Sequence, residues 1–194
     1  MGQEIIDGTG KGYRARVNSN NRMETFSIIE NRIADVSLRD GESFIVTSDF
    51  ISLTTIGSFN GMLYIKNSDP EKLLFIDKVR ICGTGTMMGS IQSKFFKNST
   101  LGTLISEVNP GITMASNLGS NVDFSGECYA ASGDGKTVTD GDQFSQFTVH
   151  LPGHTIQEYD GMLILPGGAS MAIACKPSYA TEACIEVQCW FEQK

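Results

Sequence analysis

Residues 183–192 constrain this chain more than any other stretch. Ala183, Ile185, Val187, Cys189 and Phe191 alternate with Cys184, Glu186, Gln188, Trp190 and Glu192. A period of two sends successive side chains to opposite faces of a strand. One face here is apolar and the other mostly polar, which describes an antiparallel strand buried on one side.

Similar signals recur along the chain. Strands are expected at Glu24–Ile29, Glu42–Thr47, Phe50–Ile56, Gly61–Asn67, Leu73–Cys82, Ile91–Lys97, Gln143–His150, Asp160–Leu165 and Ser170–Lys176. Asn67-Ser-Asp-Pro70 reads as a turn, and Pro166-Gly-Gly168 as another. Within 73–82, Phe75, Asp77, Val79 and Ile81 fall on one side, and Asp77 breaks the apolar pattern, so a bulge is expected there. Met171, Ile173 and Cys175 share a face. Residues 98–142 are the least regular and read as long connections with one or two short strands and a single helical turn near Met114–Leu118. A short helix is expected between Ile28 and Val36, and no long stretch has the helical period. The 21 glycines and 5 prolines suit frequent turns between strands. Together these predict an all-β chain folded as an antiparallel β-sandwich, with a jelly roll favoured among sandwiches. The expected division is an extended N-terminal arm at 1–22 and a sandwich domain at 23–194.

Charge separates the arm from the rest. Between Gly8 and Met23 stand Lys11, Arg14, Arg16 and Arg22, with no acid. Tyr13, Ala15 and Val17 can face one way, with Arg14 and Arg16 facing the other. Residues 120–194 carry 3 basic and 10 acidic side chains and account for the whole net charge of −7. A body of that sign repels nucleic acid, so no nucleic-acid partner is expected. The basic segment reads either as a binding arm or as an edge strand protected by charge. No run of apolar residues is long enough to span a bilayer, so no membrane association is expected. Met1–Asp7 lacks the basic start and apolar core of a signal peptide, and Ile6 stands where a myristoylation motif needs Ser or Thr.

The residues that could carry chemistry do not assemble into a motif. Cys82, Cys128, Cys175, Cys184 and Cys189 form neither C-x-x-C nor an even, regular framework. Cys175 and Cys189 lie on apolar stripes and read as small buried hydrophobes. Unpaired cysteines point to synthesis in a reducing, intracellular compartment. Ala130–Thr137 resembles a loosened phosphate loop, but no helix follows it and Asp134, Asp140 and Asp142 oppose phosphate. The same aspartates lack the spacing of a calcium-hand loop. His150 and His154 flank Pro152-Gly153 across a turn and have no fixed third ligand. No metal, cofactor or catalytic set is therefore expected. Most phenylalanines read as core. Trp190 falls on the polar side of its strand. It is either an exposed aromatic contacting another subunit or a ring covered by a second layer.

The run Asp7-Gly-Thr-Gly-Lys-Gly-Tyr-Arg-Ala-Arg-Val-Asn-Ser-Asn-Asn-Arg22 resembles the N-terminal signature of small β-rich virion proteins of tailed bacteriophages. Met62–Asn67 and Ile164–Ser170 are similar to that family as well. The resemblance implies a non-enzymatic structural protein. Such a protein is made in the host bacterial cytoplasm and incorporated in the virion, as a capsid decoration or cement protein. The implied partners are the major capsid protein and further copies of the chain, with a trimer favoured. The expected partner-binding residues are Tyr13, Arg14, Arg16 and Arg22 of the arm, and Trp190. A head–tail junction, tail or fibre component that binds glycans through Trp190 or Tyr129 is the alternative reading. A glycan hydrolase is a third, and it would need two carboxylates about 5–10 Å apart.

Overall fold

The computed structural model describes residues 42–85, 87–100, 122–131 and 136–194, with the strand positions at 5–6, 14–17, 23–24 and 112–116. Two compact units are present, Met1–Asn31 and Arg32–Lys194. The first holds a three-stranded antiparallel sheet of β1 (Ile5–Ile6), β2 (Arg14–Val17) and β3 (Met23–Glu24), in that order. β3, at 23–24, pairs with β2 and so belongs with the first unit. The strand expected at 24–29 beyond Glu24, and the helix expected at 28–36, lie outside the described residues.

The second unit is an antiparallel β-sandwich. Its strands are β4 (Ser43–Ser48), β5 (Ile51–Leu53), β6 (Asn60–Asn67), β7 (Lys72–Thr84), β8 (Gly89–Lys97), β9 (Ile112–Ser116), β10 (Gly126–Ala130), β11 (Asp142–Leu151), β12 (Gly153–Leu165), β13 (Ser170–Pro177) and β14 (Thr181–Gln193). One sheet has the order β10-β6-β13-β8-β11. The other has β12-β7-β14-β4-β9, with β5 also on β14. From β5 to β10 the chain changes sheet at every step, and it does so again from β11 to β14. The pairs β6–β13, β7–β12 and β8–β11 nest inside one another. The pair β5–β14 encloses these three as a fourth, and β9 and β10 lie outside the nest, β9 joining β4 and β10 joining β6. The helical turn expected near Met114–Leu118 is corrected at 114–116, while 117 and 118 lie outside the described residues: Ile112–Ser116 is a strand, its backbone bonded along β4 from Phe44 to Ser48.

The core lies between the sheets. Ile81, Val79, Ile76 and Leu74 of β7 meet Ile91 and Phe95 of β8, Ile173 and Met171 of β13, and Ile185 and Val187 of β14, all fully buried. Each such side chain stabilises the fold by about 1.5–3 kcal/mol through loss of apolar surface to water. Phe44, Phe124 and Phe191 meet edge to face at centroid distances of 5.2–6.0 Å. Some phenylalanines depart from the expected core. Phe50 precedes β5 and is exposed, and Phe144 is exposed on the edge strand β11. Cys175 and Cys189 are buried as expected, and burial pushes each thiol up to about 12.

Asp77 is the bulge that the broken pattern announces. On β14 the register passes from Gln188↔Lys78 to Cys189↔Ile76, skipping Asp77. On β12 it passes from Glu158↔Lys78 to Leu163↔Ile76, so residues 159–162 stand against Asp77 alone. An extra residue reverses the strand's facing. Leu74 and Ile76 are inward before it, and Val79 and Ile81 after it. Phe75 therefore does not share a face with Val79 and Ile81, contrary to uninterrupted alternation.

Two turns hold strand ends in place. Asn67 is fully buried, and its Nδ2 donates to the Lys72 and Leu165 carbonyls, each at 2.9 Å. Its Oδ1 accepts from the Asp69 amide at 2.9 Å, closing the expected turn. Between β7 and β8, the Tyr179 ring fills the space that a Cβ at Gly85 or Gly89 would take. Its hydroxyl donates to the Met87 carbonyl.

Candidate partner-binding surfaces

Arg14 and Arg16 are backbone positions of β2, while Tyr13 and Arg22 lie outside the described residues. Ile5 and Ile6 face Ala15 and Arg14 from one side, and Met23 and Glu24 face Val17 and Arg16 from the other. β2 thus uses both of its edges within its own small sheet. Among the described residues, β1 and β3 are the outer strands of this sheet.

Trp190 is only 4% exposed. The expectation of an exposed aromatic is corrected, and the covered alternative is the one observed. Strand alternation does carry the ring to the outer face of its sheet. There it stacks on Phe75, at a centroid distance of 5.3 Å and an interplanar angle of 3°. Its Nε1 donates to Glu192 Oε1 at 2.7 Å. The cover is the irregular segment of β12. Asp160 and Gly161 take φ values of 48° and 71°, and a Cβ at Gly161 would lie 2.8 Å from the indole. Glycine is needed there for both backbone angle and space.

Tyr129 belongs to the outer face of the other sheet and is half-buried. Its ring tilts against Tyr64 at 6.2 Å, and Tyr64 packs with Ala172, Phe96 and Val138. Its hydroxyl donates to Glu127 Oε2 at 3.4 Å. Glu127 also accepts from Lys66 Nζ at 2.9 Å and Ser68 Oγ at 3.1 Å. The hydrogen bond from Lys66 holds the Glu127 carboxyl below its ordinary range, and the same bond raises Lys66. Burial raises the Tyr129 hydroxyl. The tyrosine is thus engaged by its own sheet on the ring and at the hydroxyl. Nearby, Phe59 lies beneath Lys94 and Lys176, at 4.5 and 5.0 Å.

Among the described residues, β12 carries three exposed apolar side chains. Ile156, Met162 and Ile164 all point outward, and Met162 is 80% exposed. β12 is an edge strand, with β7 on one side only. Met87 and Met88 add a second exposed pair at the β7–β8 turn.

The remaining chemical candidates resolve individually. Asp140 accepts from the Thr100 amide at 2.8 Å and the Thr100 hydroxyl at 2.6 Å, and these bonds, the hydroxyl's foremost, lower its carboxyl. Asp134 lies outside the described residues. The segment after Thr137 leads to β11, not to a helix. His150 pairs with Ser90 in one sheet and His154 with Cys82 in the other. Among the described residues, no group of three or more His, Cys, Asp or Glu converges to hold a metal ion. No helix of the described residues is long and apolar enough to cross a membrane. Sequence spacing missed one juxtaposition: Cys82 and Cys184 are direct register partners on β7 and β14. Both occupy outward positions of alternating strands, which is the only trace of the pairing in the sequence. No protein-family model matches the chain, and no curated protein matches its sequence.

Proposed function

We propose that this chain is a non-enzymatic virion structural protein of a tailed bacteriophage, a capsid decoration or cement protein. The observation that carries this reading is the division into a small strand-built unit at 1–31, bearing Arg14 and Arg16, and a separately cored sandwich at 32–194. The resemblance in residues 7–22, 62–67 and 164–170 supports the same reading. In it, the sandwich supplies rigidity and the N-terminal unit supplies attachment. β1 or β3 adds to a strand of the major capsid protein through backbone hydrogen bonds, and the arginines pair with acidic surface. Copies of the chain meet through the apolar strip Ile156, Met162 and Ile164, and a trimer matches the local three-fold positions of a shell. A protein that binds only assembled capsid subunits stabilises the shell by mass action.

The test is co-sedimentation with capsid shells of the virion that contains the protein. The full chain should sediment with them at hundreds of copies per particle. The chain lacking residues 1–31 should keep the strand signature of the sandwich in circular dichroism and stay in the supernatant. Undiminished sedimentation of the truncated chain would remove the attachment role. A copy number of about a dozen or fewer would move the protein to the neck, tail or fibre.

A further inference from the structure

Cys82 and Cys184 face each other directly across the β7–β14 ladder, with Ile81↔Ile185 and Gly83↔Ala183 as the neighbouring pairs. Those neighbours Ile81, Ile185 and Ala183 are buried, whereas both cysteines are half-exposed on the outward face. Directly opposed residues of an antiparallel pair have Cβ atoms about 4.5–5.5 Å apart. A disulfide needs about 3.5–4.5 Å, a difference that a small local adjustment of two strands can absorb. The other three thiols lack this combination. Cys175 and Cys189 are wholly buried, and Cys128 packs against the core.

We propose that Cys82 and Cys184 form a site of reversible oxidative modification, closing to an intramolecular cross-strand disulfide when the protein meets a small-molecule disulfide such as glutathione disulfide. In the first step one cysteine loses its proton and its thiolate attacks a sulfur of the oxidant. One glutathione leaves as thiolate and takes up that proton. The second cysteine then loses its proton and attacks the protein sulfur of the mixed disulfide, expelling the second glutathione, which is protonated in turn. Two electrons pass from the protein sulfurs to the oxidant: one S–S bond is broken and one is formed. Burial, with the adjacent Cys82 thiol, pushes Cys184 up to about 11. Cys184 is therefore held as the thiol at neutral pH. The bond would pin two adjacent strands, β7 and β14, and enclose the chain from 83 to 183, restricting the unfolded state.

The full-length protein is incubated with glutathione disulfide, alkylated, and mapped by mass spectrometry without reduction. The expected product is an 82–184 linked peptide pair, about 2 Da lighter than the two thiol peptides together. Dithiothreitol should restore both thiols, and the oxidised protein should melt several degrees higher than the reduced one. Cys184→Ser should abolish the linked peptide, whereas Cys128→Ala should leave it in place. Because the wild-type map alone decides the point, a variant that fails to fold does not weaken the test. Singly glutathionylated cysteines without the linked pair would overturn the proposal. So would linkage between other cysteines, or unreacted thiols at 82 and 184 in folded protein whose unfolded form does react.

Discussion

The two ends of the β7–β14 ladder present the same kind of position to opposite effect. At one end Phe75 and Trp190 project from the outer face and are roofed at Gly161. At the other end Cys82 and Cys184 project from the same face and remain half-exposed. The strands carrying them are identical, so the strand pattern cannot be the cause. The third strand differs. β12 runs in regular register opposite residues 78–83, where His154 pairs with Cys82, and departs from it at 159–162. Alternation decides which way a side chain leaves the sheet. A local insertion in the neighbouring strand decides whether that side chain becomes surface or core.

Truncation at each end gives the largest contrast. Trp190→Ala removes a ring that is stacked, roofed and hydrogen-bonded, and should cost about 3–5 kcal/mol in urea denaturation. Cys184→Ala, on the same strand and face, should cost less than about 1 kcal/mol. Equal losses at the two sites would mean that the β12 segment contributes no packing to Trp190.

The roof itself can be lifted with a smaller change. Gly161→Ala places a Cβ within 2.8 Å of the indole, at a φ of 71° that suits glycine. The expected cost is about 1–3 kcal/mol, with a red-shifted tryptophan fluorescence as the ring gains water. An unchanged spectrum would show that the segment does not seal the ring.

This contrast also marks what the amino-acid pattern makes legible. The sandwich could be read because most strands keep a period of two over a long run, as 183–191 does. The bulge could be read because Asp77 is a charge in an apolar row. Its consequence could not, since one inserted residue changes which of Phe75 and Ile76 faces inward. The fate of Trp190 was hidden for a similar reason: its roof comes from Gly161, on a strand that touches it only in the folded chain. The same is true of Cys82 and Cys184, which the fold makes neighbours through β7–β14 pairing. The helical turn expected near Met114–Leu118 gives way to strand at 114–116, because Ile112-Thr-Met-Ala-Ser116 has no clear alternation and its strand character comes from pairing with β4. Of the candidate site, the basic positions Arg14 and Arg16 were legible as strand, but their enclosure between β1 and β3 was not.

The smallest effect lies at the hinge between the two ends. Asp77 is 6% exposed, and its Oδ2 has no hydrogen-bond partner. Burial raises its carboxyl above the ordinary range, and Asp160 and Glu158 add to this, while Lys78, 3.9 Å away, opposes it. A raised group binds its proton more readily in the folded chain than in the unfolded one. Its stabilising contribution is complete below the unfolded value and is lost as pH rises through the folded value. The ionised carboxylate is therefore a burden at neutral pH, and Asp77→Asn should stabilise the protein there by about 1 kcal/mol. Near pH 3 both chains carry a neutral group at 77, so the difference should vanish. Comparing the two melting temperatures at pH 7 and pH 3 separates this effect from the other carboxylates, which titrate alike in both proteins. If Asp77→Asn instead melts lower at pH 7, the charge on Asp77 is what holds the bulge. The reversal of facing that brings Phe75 to Trp190 would then depend on electrostatics with Lys78 rather than on the inserted residue alone.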